Sequence, residues 1–353
     1  LNPMSEFNLP AYEEMRMGIP SLVDMLDYLT DAEVGVIQVS TPGPLGVVAL
    51  IAGKLLGIPV VAHYHTELPE YAMKLTQDRK IAAIVRAWTG WFYKQAERVV
   101  VPSKATARSV RNLGVESEKI FQLQRGVDTE LFTEEKRGPH EWERFGMNGA
   151  RKLLYVGRVS REKGLDNLMN AFQRLRTQRD NVELVVVGDG PYKHELEENI
   201  TDEKVVFVGY QRGEQLARLY ASADVFVFPS KTDTFGNVVL EAQASGVPAV
   251  VANKGGPAEQ VTPGVNGFVV DPDDTHQMAE AIGELLDDES LRQDMGRAAR
   301  RRALTKSLVQ AGQIQWDLYE EVWGRGEKAR QLQWSDDEIA HFTSPRALFS
   351  LLS

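Results

Sequence analysis

Ten short runs of apolar, largely β-branched residues punctuate the chain. They are VGVIQV (34–39), IPVVA (58–62), RVVVP (98–102), KIFQL (119–123), KLLYVG (152–157), VELVVVG (182–188), KVVFVG (204–209), DVFVFP (224–229), PAVVA (248–252) and GFVVD (267–271). The runs are continuous rather than alternating, so the strands they predict are covered on both faces, as in parallel sheets built from βα repeats. Longer helix-like stretches separate them, in a series of four runs and then a series of six. The pattern predicts an α/β protein with two doubly wound, Rossmann-like domains. The stretch 125–150, RGVDTELFTEEKRGPHEWERFGMNGA, is polar, carries glycines and lacks periodicity. It reads as an interdomain linker between an N-terminal domain at 1–124 and a C-terminal domain at 151–312. In the remaining 313–353, IQWDLYEEVW (314–323) spaces Ile314, Leu318, Tyr319 and Val322 at helical intervals. That spacing predicts a helix whose apolar face packs on one of the domains. From Ser335 onward the reading stays open between a surface helix and a tail.

A chain of 353 residues with 43% hydrophobic and 25% charged residues suits a globular protein of about two domains. The absence of cysteine excludes a disulfide-stapled fold, thiolate catalysis and a cysteine-ligated metal, and fits a reducing cytoplasm. No apolar run reaches the roughly 18 residues of a membrane span, and the N-terminus lacks the order of a signal peptide. A formal net charge of -10 argues against nucleic acid as a partner, because phosphate backbones demand a dense cationic footprint. One local exception runs from Arg79 to Arg111. There Arg79, Lys80, Arg86, Lys94, Arg98, Lys104, Arg108 and Arg111 are opposed by Glu97 alone.

Candidate chemistry concentrates in TDTFGNVVLEA (232–242), where Asp233 and Glu241 have seven positions between them and enclose Gly236-Asn237. The stretch follows the run DVFVFP directly, so it spans the loop at a carboxyl strand end and the start of the next helix, where open α/β sheets bind ligands. Gly236 allows close backbone approach, and the N–H groups of Asn237, Val238 and Val239 at the helix start suit a diphosphate. Both carboxylates would then accept hydrogen bonds from sugar hydroxyls. The plainer alternative is an acidic loop followed by a glutamate on a helix face. VGRVSREKG (156–164) sets Arg158, Arg161 and Lys163 after another strand, where fixed cations can neutralise a leaving diphosphate or form a solvated basic turn. In VVVGDGP (185–191) the glycine turn repeats, with Asp189 as a cap for a helix beginning at Pro191. DPDD (271–274) reads as turn and N-cap chemistry rather than a metal site.

The order of YVGRVSREKG, VVVGDGP, VVFVGY, SKTDTFGNVVLEAQASGVPAVV and VTPGVNGFVV resembles the nucleotide-binding half of retaining family 4 glycosyltransferases of the GT-B fold. The resemblance runs over residues 34 to 325 and implies two Rossmann-like domains facing a cleft. It implies that Asp233 and the Phe235–Asn237 backbone hold the transferred sugar and that Glu241 binds ribose hydroxyls. Arg158 and Lys163 match the family's pair on the diphosphate, and Val206 to Gly209 lies where backbone groups read the base. Where this chain has Asp233 the family usually has glutamate, so the carboxylate sits closer to the sugar or reaches it through water. His65, in AHYHTELPEY (62–71), matches the cleft histidine that contacts the sugar and supports the developing oxocarbenium ion, with His63 as its support.

The implied donor is a UDP- or GDP-sugar, with no further cofactor and no metal. The acceptor is a hydroxyl compound, and the segments STPGPLG (40–46) and YHTELPEY look like those of the subset that makes bacterial glycolipids. Departure of the diphosphate from the face that the acceptor attacks would give retention. The family's first βα units have no counterpart before the first run, so the N-terminal domain is expected to be incomplete, as a fragment or a rebuilt domain. A nucleotide-sugar-binding fragment without turnover is therefore one alternative, and a sugar-nucleotide epimerase of the same fold is another. The basic segment with Trp88, Trp91, Phe92 and Tyr93 invites peripheral contact with the inner face of a membrane. Against that, Ile81, Ile84, Val85, Trp88 and Phe92 form one helical stripe of the kind that packs into a core.

Overall fold

The ten apolar runs each hold a strand in a computed structural model of the chain, which describes residues 3–9, 12–123, 125–138, 140–149, 151–200 and 202–333. The stretch from Ser335 lies outside the described residues. In chain order the elements are β1 (Pro3–Leu9), β2 (Tyr12–Pro20), α1 (Leu22–Asp31), β3 (Ile37–Val39), α2 (Pro44–Leu56), β4 (Val60–His63), α3 (Leu68–Thr76), α4 (Arg79–Lys94), β5 (Arg98–Val101), α5 (Lys104–Asn112) and β6 (Ile120–Gln122). They continue with β7 (Arg151–Val156), α6 (Leu165–Arg176), β8 (Val182–Val187), α7 (Lys193–Asn199), β9 (Val205–Gly209), α8 (Gly213–Ala221), β10 (Val225–Phe228), α9 (Asn237–Ala244), β11 (Ala249–Ala252), β12 (Gly267–Val270), α10 (Thr275–Asp287), α11 (Glu289–Leu304) and α12 (Leu308–Gln333).

Two units divide these elements. The first gathers the described residues up to Val100, Val110–Phe121 and those from Ile314, and the second holds Val101–Ser109 and Gln122–Gln313. In the first, β3, β4, β5 and β6 form a four-stranded sheet in that order, with β3–β4 and β4–β5 parallel. Val61, Ala62 and Val99 are fully buried on it, which is what a continuous apolar strand requires. An antiparallel pair, β1 with β2, forms a separate two-stranded sheet that no apolar run announces.

Two helices of this unit depart from sequence expectation. Phe92 and Tyr93 of α4 are buried together with Thr89 and Gly90, but Ile81, Ile84 and Trp88 lie on the surface, so the expected core stripe is not a core stripe. The buried residues of α4 gather in its C-terminal part, from Thr89 to Tyr93, and its earlier turns pack chiefly beside α3. In α12, Leu318 and Val322 are buried as expected, whereas Ile314 is exposed and Tyr319 makes polar contacts.

The second unit is a six-stranded sheet in the order β12-β11-β10-β7-β8-β9, with every neighbouring pair parallel. Its first strand, β7, and its fourth, β10, are adjacent, and from them the chain winds outward in opposite directions. That is the doubly wound order with its reversal between β7 and β10. All six residues of β8 are buried, and Leu153, Leu184, Val185, Phe226 and Val250 centre the core.

Residues 125–149 do not behave as a linker. Val127, Phe132, Trp142 and Met147 enter the second unit's core, with Trp142 fully buried. Arg300 of α11 donates to the carbonyls of Phe132 (2.8 Å) and Ala244 (2.6 Å), and the Asn148 N–H donates to the buried Glu183 carboxylate at 3.1 Å. The apolar residues are too irregularly spaced to show a period, yet each finds a pocket. Among the described residues, no helix is long and apolar enough to cross a membrane.

Candidate functional site

The reversal between β7 and β10 leaves a crevice at their carboxyl ends, because the connections that follow them leave to opposite sides. The loop after β7 carries Arg158 and Lys163, and the loop after β10 carries Asp233, Phe235 and Gly236. Lys163 Nζ donates to Asp233 Oδ2 at 2.8 Å and ties the two loops together. Both side chains are mostly sheltered, at 16% and 22% exposure, so the pair is weakly screened by solvent. Tyr155 on β7 stacks on Phe228 of β10 and donates its hydroxyl to the Arg158 carbonyl at 3.0 Å, which fixes the first of these loops. Burial first, then the negative charges of Asp233 and Glu162, holds the Tyr155 phenol well above its ordinary value, so it acts as a donor. Arg161 pairs with Glu195 and lies over the Tyr192 ring at 4.2 Å.

The second loop enters α9 through Gly236, whose φ of 79° lies in the left-handed region that glycine tolerates. Among the described residues no side chain caps α9, and its first turn holds no acidic residue. The Val239 N–H donates to the Gly236 carbonyl at 3.0 Å, which removes it from the three amides expected to be available. Asn237 and Val238 are left as the first-turn N–H groups that point out of the helix start. A helix terminus of this kind attracts an anion through its partial positive charge. Glu241, one turn into α9, accepts from the Tyr220 hydroxyl at 2.9 Å. Burial raises the Glu241 carboxyl above its ordinary value, and the Tyr220 bond offsets part of that.

A support network that sequence reasoning missed holds the 233–236 backbone. Gln260 is buried, and its Nε2 donates to the carbonyls of Phe235 (2.5 Å) and Gly236 (2.9 Å). The Gln260 carbonyl in turn accepts from Gln243 Nε2 at 2.8 Å and Asn266 Nδ2 at 3.2 Å. The Gly256 N–H donates to the Asp233 carbonyl at 2.9 Å, and a Cβ at Gly256 would lie 2.1 Å from the Thr234 carbonyl oxygen. The available signals were buried-type amides inside apolar context, Gln243 in VVLEAQA, and the glycine pair in KGGPAEQ.

Two further expectations are settled by local geometry. Asp189 does not cap a helix: α7 starts at Lys193 with Tyr192 as N-cap, because Pro191-Tyr192 first complete a turn, and Asp189 Oδ1 accepts the Gly190 N–H at 2.7 Å. Asp274 does cap α10, accepting from the N–H groups of His276 (3.0 Å) and Gln277 (2.9 Å). Its neighbour Asp273 pairs with Lys231, which lowers the Asp273 carboxyl. No group of three or more histidine, cysteine or acidic side chains that could hold a metal occurs among the described residues. Val206 and Gly209 lie on β9, the edge strand, where the Gly209 carbonyl accepts the Gly188 N–H at 2.8 Å. Beside them the exposed Tyr210 ring carries the Arg212 guanidinium at 4.6 Å, an aromatic surface that went unnoticed in the sequence.

In the first unit, His65 follows β4 and is half-buried, with its ring 5.5 Å from that of His63. His63 is the more buried of the two. Tyr93 donates to the His63 carbonyl at 3.2 Å, and the Tyr319 hydroxyl lies 3.3 Å from His63 Nε2.

Two Rossmann-like units, the second with cations and carboxylates gathered at its strand reversal, define an α/β protein of the GT-B class. Residues 142–302 match the model for glycosyl transferases group 1, and residues 3–131 match that for glycosyltransferase family 4. The chain is 32% identical over 305 residues to the sulfoquinovosyl transferase SQD2 of Arabidopsis thaliana, covering 83% of this chain and 58% of that protein. It is also 32% identical over 320 residues to a GDP-mannose-dependent alpha-mannosyltransferase of Mycobacterium tuberculosis, covering 90% of this chain and 80% of the relative. Anabaena HepE, solved with UDP and with UDP-glucose, superposes with a TM-score of 0.71 at 24% identity over 85% of this chain and 82% of its own. The chain belongs to the family 4 glycosyltransferases.

Proposed function

We propose that the chain binds a nucleotide sugar at the β7/β10 reversal and transfers its hexose, with retention, to a hydroxyl acceptor. The observation that carries this reading is the Lys163–Asp233 pair set beside the glycine-entered start of α9. These place a cation, an acidic hydrogen-bond acceptor and an anion-attracting helix end on the two loops that flank the crevice. In this reading Lys163 and Arg158 take the diphosphate with the amides of Asn237 and Val238, so charge neutralisation falls to side chains and backbone rather than to a metal. Glu241, oriented by Tyr220, accepts from the ribose hydroxyls. Asp233 and the Phe235–Asn237 backbone hold the sugar, and the end of β9 between Val206 and Gly209 meets the base.

The bond from the anomeric carbon to the phosphate oxygen breaks with its electron pair going to the diphosphate. The acceptor oxygen bonds to that carbon from the same face, and its proton passes to the departing phosphate oxygen. His65 contacts the sugar and supports the oxocarbenium character of the transition state. Both donor bases remain in play, since the mycobacterial relative is named for GDP-mannose and HepE was solved with UDP. The acceptor is a hydroxyl compound, with a lipid or lipid-linked saccharide as the favoured class. Calorimetric titration with UDP, GDP, UDP-glucose and GDP-mannose tests the donor half. Binding of one base series, weakened in Lys163→Ala, is expected. Binding to none of the four would overturn the assignment, and donor binding without transfer to any hydroxyl acceptor would leave only a binding module.

A further inference from the structure

The surface of α4 carries an unpartnered apolar stripe. Ile81, Ile84, Trp88 and Trp91 recur at intervals of three, four and three residues, which sets them on one face of the helix. Their exposures are 41%, 69%, 46% and 43%, far above what a core-facing stripe shows. Trp88 and Trp91 stack with centroids 5.1 Å apart, and Trp88 Nε1 donates to the Pro42 carbonyl at 2.9 Å, so the rings are held at the surface in a fixed pose. At the end of α3, Leu75 is also exposed at 53%.

The charge around the stripe is opposite to that of the chain. Across residues 68–94, Lys74, Arg79, Lys80, Arg86 and Lys94 stand against Glu70 and Asp78, in a chain whose formal net charge is -10. Arg86 is tied to Glu70 at 3.1 Å, whereas Lys80 borders the stripe as an exposed side chain and Arg79 is exposed at the helix start.

We propose that this face of α4 docks on an anionic lipid bilayer. Isoleucines on an exposed helix face gain by entering the acyl boundary, and tryptophans favour the headgroup level, where one side of the ring is apolar and the other polar. Flanking lysines and arginines add about 1 kcal/mol each against an anionic leaflet. A protein partner fits less well, because lysine is depleted at protein interfaces while here it borders the apolar stripe. The helix lies on the membrane rather than crossing it. This docking is independent of the donor-site reading, and either can fail alone.

The test is co-sedimentation of the whole chain with phosphatidylcholine vesicles, with and without about one third phosphatidylglycerol, at low and high salt. Three proteins are compared: wild type, Ile81→Ser/Ile84→Ser and Lys80→Glu. Substituting exposed positions leaves the fold intact, which an unchanged melting temperature verifies. Wild type is expected to bind the anionic vesicles with a blue shift of tryptophan emission, and salt is expected to weaken it. Each variant should bind about tenfold more weakly. No binding to anionic vesicles, or equal binding by all three proteins, overturns the proposal. Concentration-dependent self-association that the serine variant abolishes, with no vesicle binding, would assign the face to a second copy of the chain and overturn it equally.

Discussion

Lys163 and Asp233 hold each other across 2.8 Å, so the cation assigned to the diphosphate and the carboxylate assigned to the sugar neutralise one another in the crevice. A diphosphate must compete for Lys163. Lys163→Ala is expected to weaken nucleoside diphosphate binding by roughly 10- to 100-fold, the worth of one charge-assisted hydrogen bond. Asp233→Asn should act in the opposite sense on the same ligand, because Lys163 is released from its partner, while transfer of the sugar falls. Titration calorimetry with the diphosphate alone separates the two. Parallel losses in both variants would mean that the pair only holds the loops.

The Glu241 carboxyl is raised by burial, with the Tyr220 hydroxyl bond acting the other way. Folding therefore favours the protonated form. The associated stability is fully present below the unfolded-state value and is lost as pH rises through the higher folded-state value. Above the folded-state value the half-buried carboxylate is ionised, and there it costs stability. Glu241→Gln keeps the shape and an acceptor for Tyr220 without the charge, so its melting temperature should gain on wild type as pH rises and converge with it as acid protonates the native glutamate. The same variant should bind the donor less well, since a neutral amide accepts ribose hydroxyls more weakly than a carboxylate. A melting temperature that instead falls further below wild type as pH rises would show that the carboxylate is a net stabiliser where it stands.

His65 belongs to the first unit, and its proposed contact is with the transferred sugar. His65→Ala should then reduce turnover at saturating donor by about tenfold or more while leaving the nucleotide dissociation constant nearly unchanged. Equal effects on turnover and on donor affinity would make it a structural residue like His63. Tyr319→Phe is the control for that structural role. It removes the hydroxyl beside His63 Nε2 and should cost about 1 kcal/mol of stability without a specific effect on transfer.

The strands were legible because a strand covered on both faces must be apolar at every position, and such runs stand out against the helices. Hence all ten runs follow from local composition, whereas the strand order that brings the Lys163 and Asp233 loops together shows only in the folded sheet. The antiparallel pair of β1 and β2 carries no comparable run, so nothing marked it. Trp142 and Phe132 were hidden for a different reason: irregular backbone can bury single large residues without any period. In α4 the periodicity was present but its meaning was not, because an apolar stripe looks the same whether it faces a core or a surface. At the site, the residues proposed to touch a ligand sit at strand ends and helix starts and could be named, whereas Gln243, Gly256 and Gln260 act on backbone groups that only the folded chain brings near them.

That last group carries a prediction of its own. Gln260 donates to two consecutive carbonyls, Phe235 and Gly236, and only a side chain with a hydrogen-bond donor of the same reach can replace it. Gln260→Leu leaves both oxygens buried without that donor, and Gln260→Glu keeps the shape but substitutes acceptors for donors. Both variants should destabilise the second unit, by about 1–3 kcal/mol for leucine and more for glutamate, whose charge would face two carbonyls. Because these carbonyls flank the entry into α9, donor affinity should fall with stability even though Gln260 is not among the groups proposed to touch the ligand. Denaturant melts and calorimetry on both variants check this. If leucine preserved donor affinity while lowering stability, the 235–236 backbone would not need this brace to bind, and the glycine contacts from Gly256 would be sufficient to hold the loop.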